Sequence, residues 1–185
     1  MIDVNELRKG VVFEQDKSLF KVTDYHHHKP GRGKATIRIK AYNMRTGSNV
    51  DMTFNSSDRV QDVRLNYHNV QFLYSDAEFF YFMDQETFEQ HLVPNNIIGE
   101  MAGFLKGEVV VKLTLYETEA IEIELPTSVD LLVTEASTAV RGDTATGVTK
   151  LVTVETGLKV GCPSFVVEGD TIRVDTRTGE YITRA

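Results

Sequence analysis

The chain has 185 residues, of which 41% are hydrophobic and 25% charged, a balance typical of a folded protein. No apolar run approaches the roughly 20 residues that span a bilayer, and the start MIDVNELRKG lacks the features of a signal peptide, so a cytoplasmic protein is predicted. The net charge of -7 would exclude nucleic acid as a partner only if it were evenly distributed.

The charge is uneven along the chain. Residues 1–63 contain 11 Lys and Arg against 8 Asp and Glu, residues 64–127 contain 3 against 11, and residues 128–185 contain 6 against 8. Within 21–45 there are seven cations and one acid, Asp24. The first segment is therefore the predicted region of contact with nucleic acid.

Most of the chain is predicted as short β-strands with turn residues between them, a pattern typical of small barrels or sandwiches. In ATIRIKAY, Thr36, Arg38 and Lys40 alternate with apolar residues, which predicts a strand with a basic outer face. YSDAEFF and YETEAIEIE are predicted hairpins. The other predicted strands are SLFKV, NVDMTF, VQFLYS, FFYFMD, VVVKLTLY, AIEIEL, DLLVTE and TIRVDT.

One segment, PNNIIGEMAGFL, has helical periodicity, and Pro94 and Asn95 suit a helix start. A helix closing the end of a barrel is predicted there, and DQETFEQH is predicted to add a helical turn. The apolar positions of the first helix are Ile97, Ile98, Met101 and Leu105. No Pro- or Ser-rich linker is present, so three domains, 1–63, 64–127 and 128–185, are predicted from shifts of charge and pattern.

The stretch KPGRGKA predicts a narrow hairpin tip. Gly31 and Gly33 permit positive φ, which directs Arg32 outward towards phosphate, ribose or a base. A phosphate-binding loop is excluded, because the motif needs Gly at position 28 and Ser or Thr at position 35, where this chain has His28 and Ala35. The candidate contact residues of this tip are Lys29, Pro30, Gly31, Arg32, Gly33 and Lys34.

No metal site, cofactor or catalytic residue is predicted. In the histidine triplet, His26 and His28 point to one side of an extended chain and His27 to the other, and two imidazoles without a nearby carboxylate or thiol are a poor metal site. Cys162 is predicted to be a small core residue.

Six stretches, in this order along the chain, resemble bacterial elongation factor P: LRKG, KPGRGKA, NMRTGSNVDMTFNSSD, FMDQETFEQ, RGDTATGVTKLVTVETGLKVGCPSFVVEGD and IRVDTRTGEYITRA. The resemblance covers the full chain. It implies an all-β, L-shaped translation factor that is not an enzyme, with an N-terminal SH3-like (KOW-type) domain followed by two OB-folds.

The resemblance also implies the partners: both subunits of the 70S ribosome and the peptidyl-tRNA in the P site. The factor would act as a monomer between the P and E sites, at ribosomes stalled on consecutive prolines, without a membrane or a small-molecule substrate.

Carried over residue by residue, the resemblance places Arg32 at the tip that contacts the tRNA acceptor end. Many members have a β-lysylated lysine there, and others a rhamnosylated arginine in a different frame. The arginine in a Pro-Gly frame here predicts an unmodified Arg32. The ribosome- and tRNA-binding candidates are Arg141, Gly142, Asp143 and Thr144 in one loop, with Arg177, Tyr181 and Arg184 as a second surface.

Two alternatives stay open from the residues. One is a specialised paralogue of elongation factor P. The other is an OB-fold RNA-binding module outside translation, which would need exposed aromatics for base stacking. Core packing is instead predicted for Phe72, Phe79, Phe80, Tyr81 and Phe82. The archaeal and eukaryotic relatives normally have two domains, so the third predicted domain argues against assigning this chain to them.

Overall fold

The structure is a computed structural model that describes residues 1–28, 35–136 and 149–185. The regular secondary structure of these ranges is almost entirely β-strand, which confirms the all-β class. The strands are β1 (Ile2–Asp3), β2 (Val12–Gln15), β3 (Ser18–His28), β4 (Thr36–Asn43), β5 (Asn49–Asn55), β6 (Arg59–Asp62), β7 (Asn66–Ser75), β8 (Phe79–Asp84), β9 (Gln90–Pro94), β10 (Val110–Tyr116), β11 (Glu119–Glu124), β12 (Ser128–Ala136), β13 (Thr149–Val154), β14 (Lys159–Pro163), β15 (Thr171–Asp175) and β16 (Tyr181–Arg184).

The strands form three sheets. The first has the order β1-β6-β2-β3-β4-β5, the second β11-β10-β7-β8-β9, and the third β14-β13-β12-β15-β16. The predicted domain limits at 63/64 and 127/128 fall between sheets, and they stay predictions. Compact units divide the described chain differently, into Met1–Asn66 with Leu115–Glu122, and Tyr67–Thr114 with Ile123–Ala185.

An aromatic cluster forms the centre of the first sheet's core. The Phe13 ring is fully buried, stacks on Phe20 at a centroid distance of 5.6 Å, and meets the edge of Phe54 at 6.2 Å. Ile37 and Ile39, the inward residues of β4, pack in the same cluster. The predicted alternation of β4 is therefore confirmed, with Arg38 and Lys40 on its exposed face.

Strand β3 contains a bulge that decides which side chains face outwards near its end. Its pairing with β4 shifts register between Val22 and Asp24, so Thr23 is an extra residue. One inserted residue exchanges the two faces of a strand. Beyond the bulge Tyr25 therefore packs against the core, whereas His26 is exposed.

The helix predicted after Pro94 is present, but as two short pieces and not as one α-helix. An α-helix does begin at Asn95, but it ends at Ile98, because Gly99 has a φ of 51° and a ψ of -129°. A 3-10 helix over Gly99–Phe104 follows. Phe104 is buried among the core residues of the third sheet, and the Thr156 hydroxyl donates to the carbonyl of Gly103 at 2.6 Å.

DQETFEQH contains a single turn with a helix-type hydrogen bond, from the Phe88 N–H to the Asp84 carbonyl at 3.0 Å, but no helix. The segment is a turn between β8 and β9 in which Asp84 Oδ1 accepts hydrogen bonds from the backbone N–H groups of Glu86 at 2.7 Å and Thr87 at 2.9 Å. The Asp84 carboxylate thereby caps the first backbone N–H groups of the turn. Phe88 completes the turn with a φ of 59°.

Cys162 lies in the core of the third sheet, as predicted, with no exposed surface. Burial raises the pKa of its thiol above the usual value. Its neighbours in the cluster include Leu131, Val152 and Ile172. Within the described ranges, no helix has the length and apolar character needed to cross a membrane.

Candidate nucleic-acid interface

The predicted cationic hairpin is formed by β3 and β4. The two strands stay paired up to His28 on β3 and Thr36 on β4. The described residues nearest the tip are His28 on one side and Ala35 on the other. The tip itself, with Lys29, Pro30, Gly31, Arg32, Gly33 and Lys34, lies outside the described residues. The three histidines that lead into it are all exposed.

A shallow groove of about 290 Å³ runs over the outer face of β4, between the side chains of β3 and β5. Arg38 lies opposite His26 of β3 and Thr53 of β5. Lys40 lies opposite Asp24 of β3 and Asp51 of β5. The groove is lined by His26, Arg38, Ile39, Lys40, Asp51, Met52 and Thr53.

The two acids therefore lie beside Lys40, further from the tip, whereas Arg38 lies nearer the tip with no acid directly opposite. Neither cation forms an ion pair with a residue in the described ranges. Exposed cations without a fixed partner are available to phosphate oxygens at little desolvation cost. Arg38 can therefore extend the positive surface of the hairpin from its tip, whereas Asp24 and Asp51 offset the charge of Lys40.

The prediction that no carboxylate stands near the histidine triplet is wrong. Asp24 and His26 are two residues apart on β3 and so share a face, which the bulge turns outwards, and His26 Nε2 lies 3.0 Å from Asp24 Oδ2. The backbone N–H of Tyr25 and the imidazole of His26 keep the pKa of Asp24 below its usual range. The His26 side chain is 70% exposed, so this pair is a solvated contact.

The second predicted surface lies at the β15–β16 end of the third sheet. Arg177 occupies the turn between the strands and pairs with Asp175 at 3.0 Å, which with the Arg177 backbone N–H lowers the pKa of Asp175 to about 2. Arg184 Nη1 lies 3.9 Å from Asp170 Oδ1.

Tyr181 differs from these two arginines. Its ring packs against the core of the third sheet and is only partly exposed, so the structure does not present it as a free stacking platform. Its role in binding stays a prediction. The other predicted loop, with Arg141, Gly142, Asp143 and Thr144, lies outside the described residues.

Three family models match the chain in succession. They are the elongation factor P KOW-like domain over residues 3–60, the elongation factor P OB domain over 65–123, and the elongation factor P C-terminal domain over 129–184. The chain belongs to the elongation factor P family.

Curated relatives named Elongation factor P support the same assignment over the full length. The chain is 47% identical to the protein of Clostridium kluyveri and 45% identical to that of Clostridium perfringens, each over 184 residues and 100% of both chains. It is 42% identical to that of Coprothermobacter proteolyticus, over 100% of this chain and 99% of the relative. Members of the family are translation elongation factors and not enzymes.

Solved structures share part of the fold. Translation initiation factor 5A from Methanococcus jannaschii superposes with a TM-score of 0.55 at 20% identity, over 68% of this chain and 90% of its own. A protein of the same family from Naegleria fowleri gives 0.54 at 17% identity, over 67% and 96%. The predicted KOW-type and OB-fold domains are thereby confirmed as the family's domains.

The family assignment argues against the alternative of an RNA-binding module outside translation, because the relatives are translation factors. Core packing of the aromatic residues of β7 and β8 is confirmed for Phe72 and Phe82, which are buried. Phe79, Phe80 and Tyr81 are only half-buried.

Proposed function

We propose that this chain binds the ribosome between the P and E sites and stimulates peptide-bond formation at consecutive prolines. The residues around Arg32 would hold the acceptor end of the peptidyl-tRNA in a reactive position. The observation that carries the proposal is the exposed β3–β4 hairpin, which presents Arg38 and His26 beside its tip in a chain of net charge -7.

The mechanism follows from the chemistry of proline. Its ring restricts the geometry of attack, so peptide transfer between successive prolines is slow, and the peptidyl-tRNA is poorly held. A cationic loop that steadies the acceptor end lowers the barrier by orientation, with no side chain exchanging a proton. The ribosome supplies the reacting centre, and this chain supplies position.

The contact surfaces are part of the proposal. The tip residues from Lys29 to Lys34 would contact the acceptor end, with Arg38 extending the positive surface along β4. The loop from Arg141 to Thr144 and the cations Arg177 and Arg184 would contact the ribosome or tRNA at the other end of the chain. Both ribosomal subunits would be contacted by a single copy.

Reconstituted translation of a reporter with three consecutive prolines tests the function. We expect the unmodified protein to increase the rate of full-length synthesis on this reporter and to leave a matched reporter with alanines in place of the prolines unchanged. Because the gain comes from positioning at a slow step, it should vanish where that step is fast. Equal rates on the proline reporter with and without the protein would refute the function.

The modification state of Arg32 is a separate prediction. The Pro30-Gly31 frame is the one in which relatives carry lysine, and a lysylating enzyme acts on an amine that arginine lacks. We expect intact mass and peptide mass spectra of protein from its native host to give the unmodified mass for residues 29–34. An added sugar mass on that peptide would contradict this expectation and leave the positioning role intact.

A further inference from the structure

Three side chains that can bind a metal meet on the inner face of the second sheet. Asp84 lies at the end of β8, His68 near the start of β7, and His91 near the start of β9. The register pairs Val70 with Asp84 and Phe82 with His91. Side chains two residues apart on a strand share a face, so all three point to the side on which Val70 and Phe82 are buried.

The cluster is enclosed. The side chain of Asp84 is 3% exposed, that of His91 17%, and that of His68 30%. His68 Nδ1 lies 2.6 Å from Asp84 Oδ2, and His91 Nε2 lies 3.9 Å from the same oxygen. The three ligand atoms lie within 4.8 Å of one another. Only one imidazole is therefore hydrogen-bonded to the carboxylate.

The nitrogen of the other imidazole has no such contact. His91 Nε2 is buried and has no hydrogen-bond partner among the residues that the structure describes. A buried polar atom without a partner destabilises a fold, and such atoms are rare. His91 Nε2 therefore lies near Asp84 Oδ2, at 3.9 Å, but too far from it for a hydrogen bond.

The two oxygens of Asp84 have different contacts. Oδ1 accepts the backbone N–H groups of Thr87 and Glu86, and these bonds lower the pKa of Asp84 to about 2. The carboxylate is therefore ionised at neutral pH and is fixed by the turn. Oδ2 carries the other lone pairs towards the two imidazoles.

We propose that His68 Nδ1, Asp84 Oδ2 and His91 Nε2 bind a divalent transition-metal ion, with Zn²⁺ as the ion that fits best. Two imidazoles and one carboxylate are a ligand set that Zn²⁺ accepts, with a water in the fourth position. The partly exposed His68 provides the side from which the ion and the water enter.

The distances are compatible with this ion. Zn²⁺ holds nitrogen and oxygen ligands at about 2.0–2.2 Å, so tetrahedral ligand atoms lie about 3.3 Å apart. The separations of 2.6 Å and 3.9 Å from Asp84 Oδ2 lie on either side of that value, and the two imidazole nitrogens, within 4.8 Å of each other, would adjust on binding. Binding would replace the His68–Asp84 hydrogen bond, and His68 would then carry its proton on Nε2. The ion would join β7, β8 and β9 and give His91 Nε2 a partner.

Zinc titration with a chromophoric chelator as competitor, on untagged full-length protein, tests the site. The chain has five histidines, and the exposed triplet His26–His28 is the rival binding site. The matched control is therefore the variant in which all three triplet histidines are replaced by asparagine. We expect wild type and this control to bind one Zn²⁺ per chain with the same affinity.

Asp84→Asn and His91→Gln should each weaken binding at least about 10-fold, since even the partners of ligands contribute 10- to 100-fold. Asp84→Asn retains an oxygen for the two backbone N–H groups and loses the ligand oxygen, so the turn is preserved. Wild-type protein also allows a test without mutation. Zn²⁺ should shift the ¹⁵N resonances of His68 Nδ1 and His91 Nε2, and bound Co²⁺ should show the visible absorption of a four-coordinate site.

The proposal is overturned if Zn²⁺ fails to bind, or if its binding is lost in the triplet variant and unchanged in Asp84→Asn. Unshifted ring resonances of His68 and His91 in zinc-treated wild type would also overturn it. None of these outcomes bears on the ribosomal role.

Discussion

Replacement of Arg32 by alanine is expected to lower the gain in rate on the triple-proline reporter about 10-fold, equivalent to about 1.4 kcal/mol of barrier. Arg32 stands at the predicted tip with a planar, permanently charged group that can donate to phosphate and ribose oxygens at once. Alanine removes every one of those donors. Reconstituted translation with wild type and variant at equal concentration measures the difference.

Two further variants separate the effect of the tip side chain from the effect of the net charge of the protein. Lys9→Ala removes one exposed cation of the same sheet region, outside the hairpin, and should leave the rate unchanged. Arg32→Lys keeps the charge without the fork of donors and should retain part of the gain. If Lys9→Ala reduced the rate as much as Arg32→Ala, net charge and not the tip would be responsible.

The second large effect concerns stability. Phe13→Ala should destabilise the first sheet by about 3–5 kcal/mol, because it removes a fully buried ring that contacts Phe20 and Phe54 and leaves a cavity. A core of this size gives a small domain only a few kcal/mol of net stability. The sheet is therefore expected to be largely unfolded in the variant. Hydrogen exchange of the β2, β3 and β4 amides reports on this sheet separately.

Phe88→Ala is the matched control. Its ring is 71% exposed in the turn between β8 and β9, so its loss should change stability by no more than about 0.5 kcal/mol. Equal exchange rates in Phe13→Ala and Phe88→Ala would show that the aromatic cluster does not hold the first sheet together.

Sequence pattern predicted the strands that alternate over many residues. The prediction of a basic outer face on β4 is correct, because Ile37 and Ile39 are buried and Arg38 is exposed between them. The strands that were missed, β1, β2, β6, β9, β13, β14 and β16, have two to six residues, a length at which an alternation is weak evidence. Length is not the whole reason, because β8, β11 and β15 have five or six residues and were predicted. The α-helix after Pro94 is shorter than its apolar period predicts for a local reason, since the positive φ of Gly99 interrupts it.

Contacts that depend on register could not be predicted. The Thr23 bulge is not visible in the sequence, yet it decides that Asp24 and His26 lie on the outer face of β3. His68 and His91 lie 16 and 7 residues from Asp84, and only the pairing of three strands brings them together. The tip residues around Arg32 were found from local turn chemistry and from family resemblance, neither of which needs register.

The burial of Cys162 has a practical consequence for following this chain in action. The thiolate is the reactive form of cysteine, and a thiol in the core with a raised pKa reacts slowly with maleimide dyes. A new cysteine introduced at the hairpin tip would therefore be labelled selectively with the native one left in place. Fluorescence from that single dye would then test whether the tip contacts a tRNA.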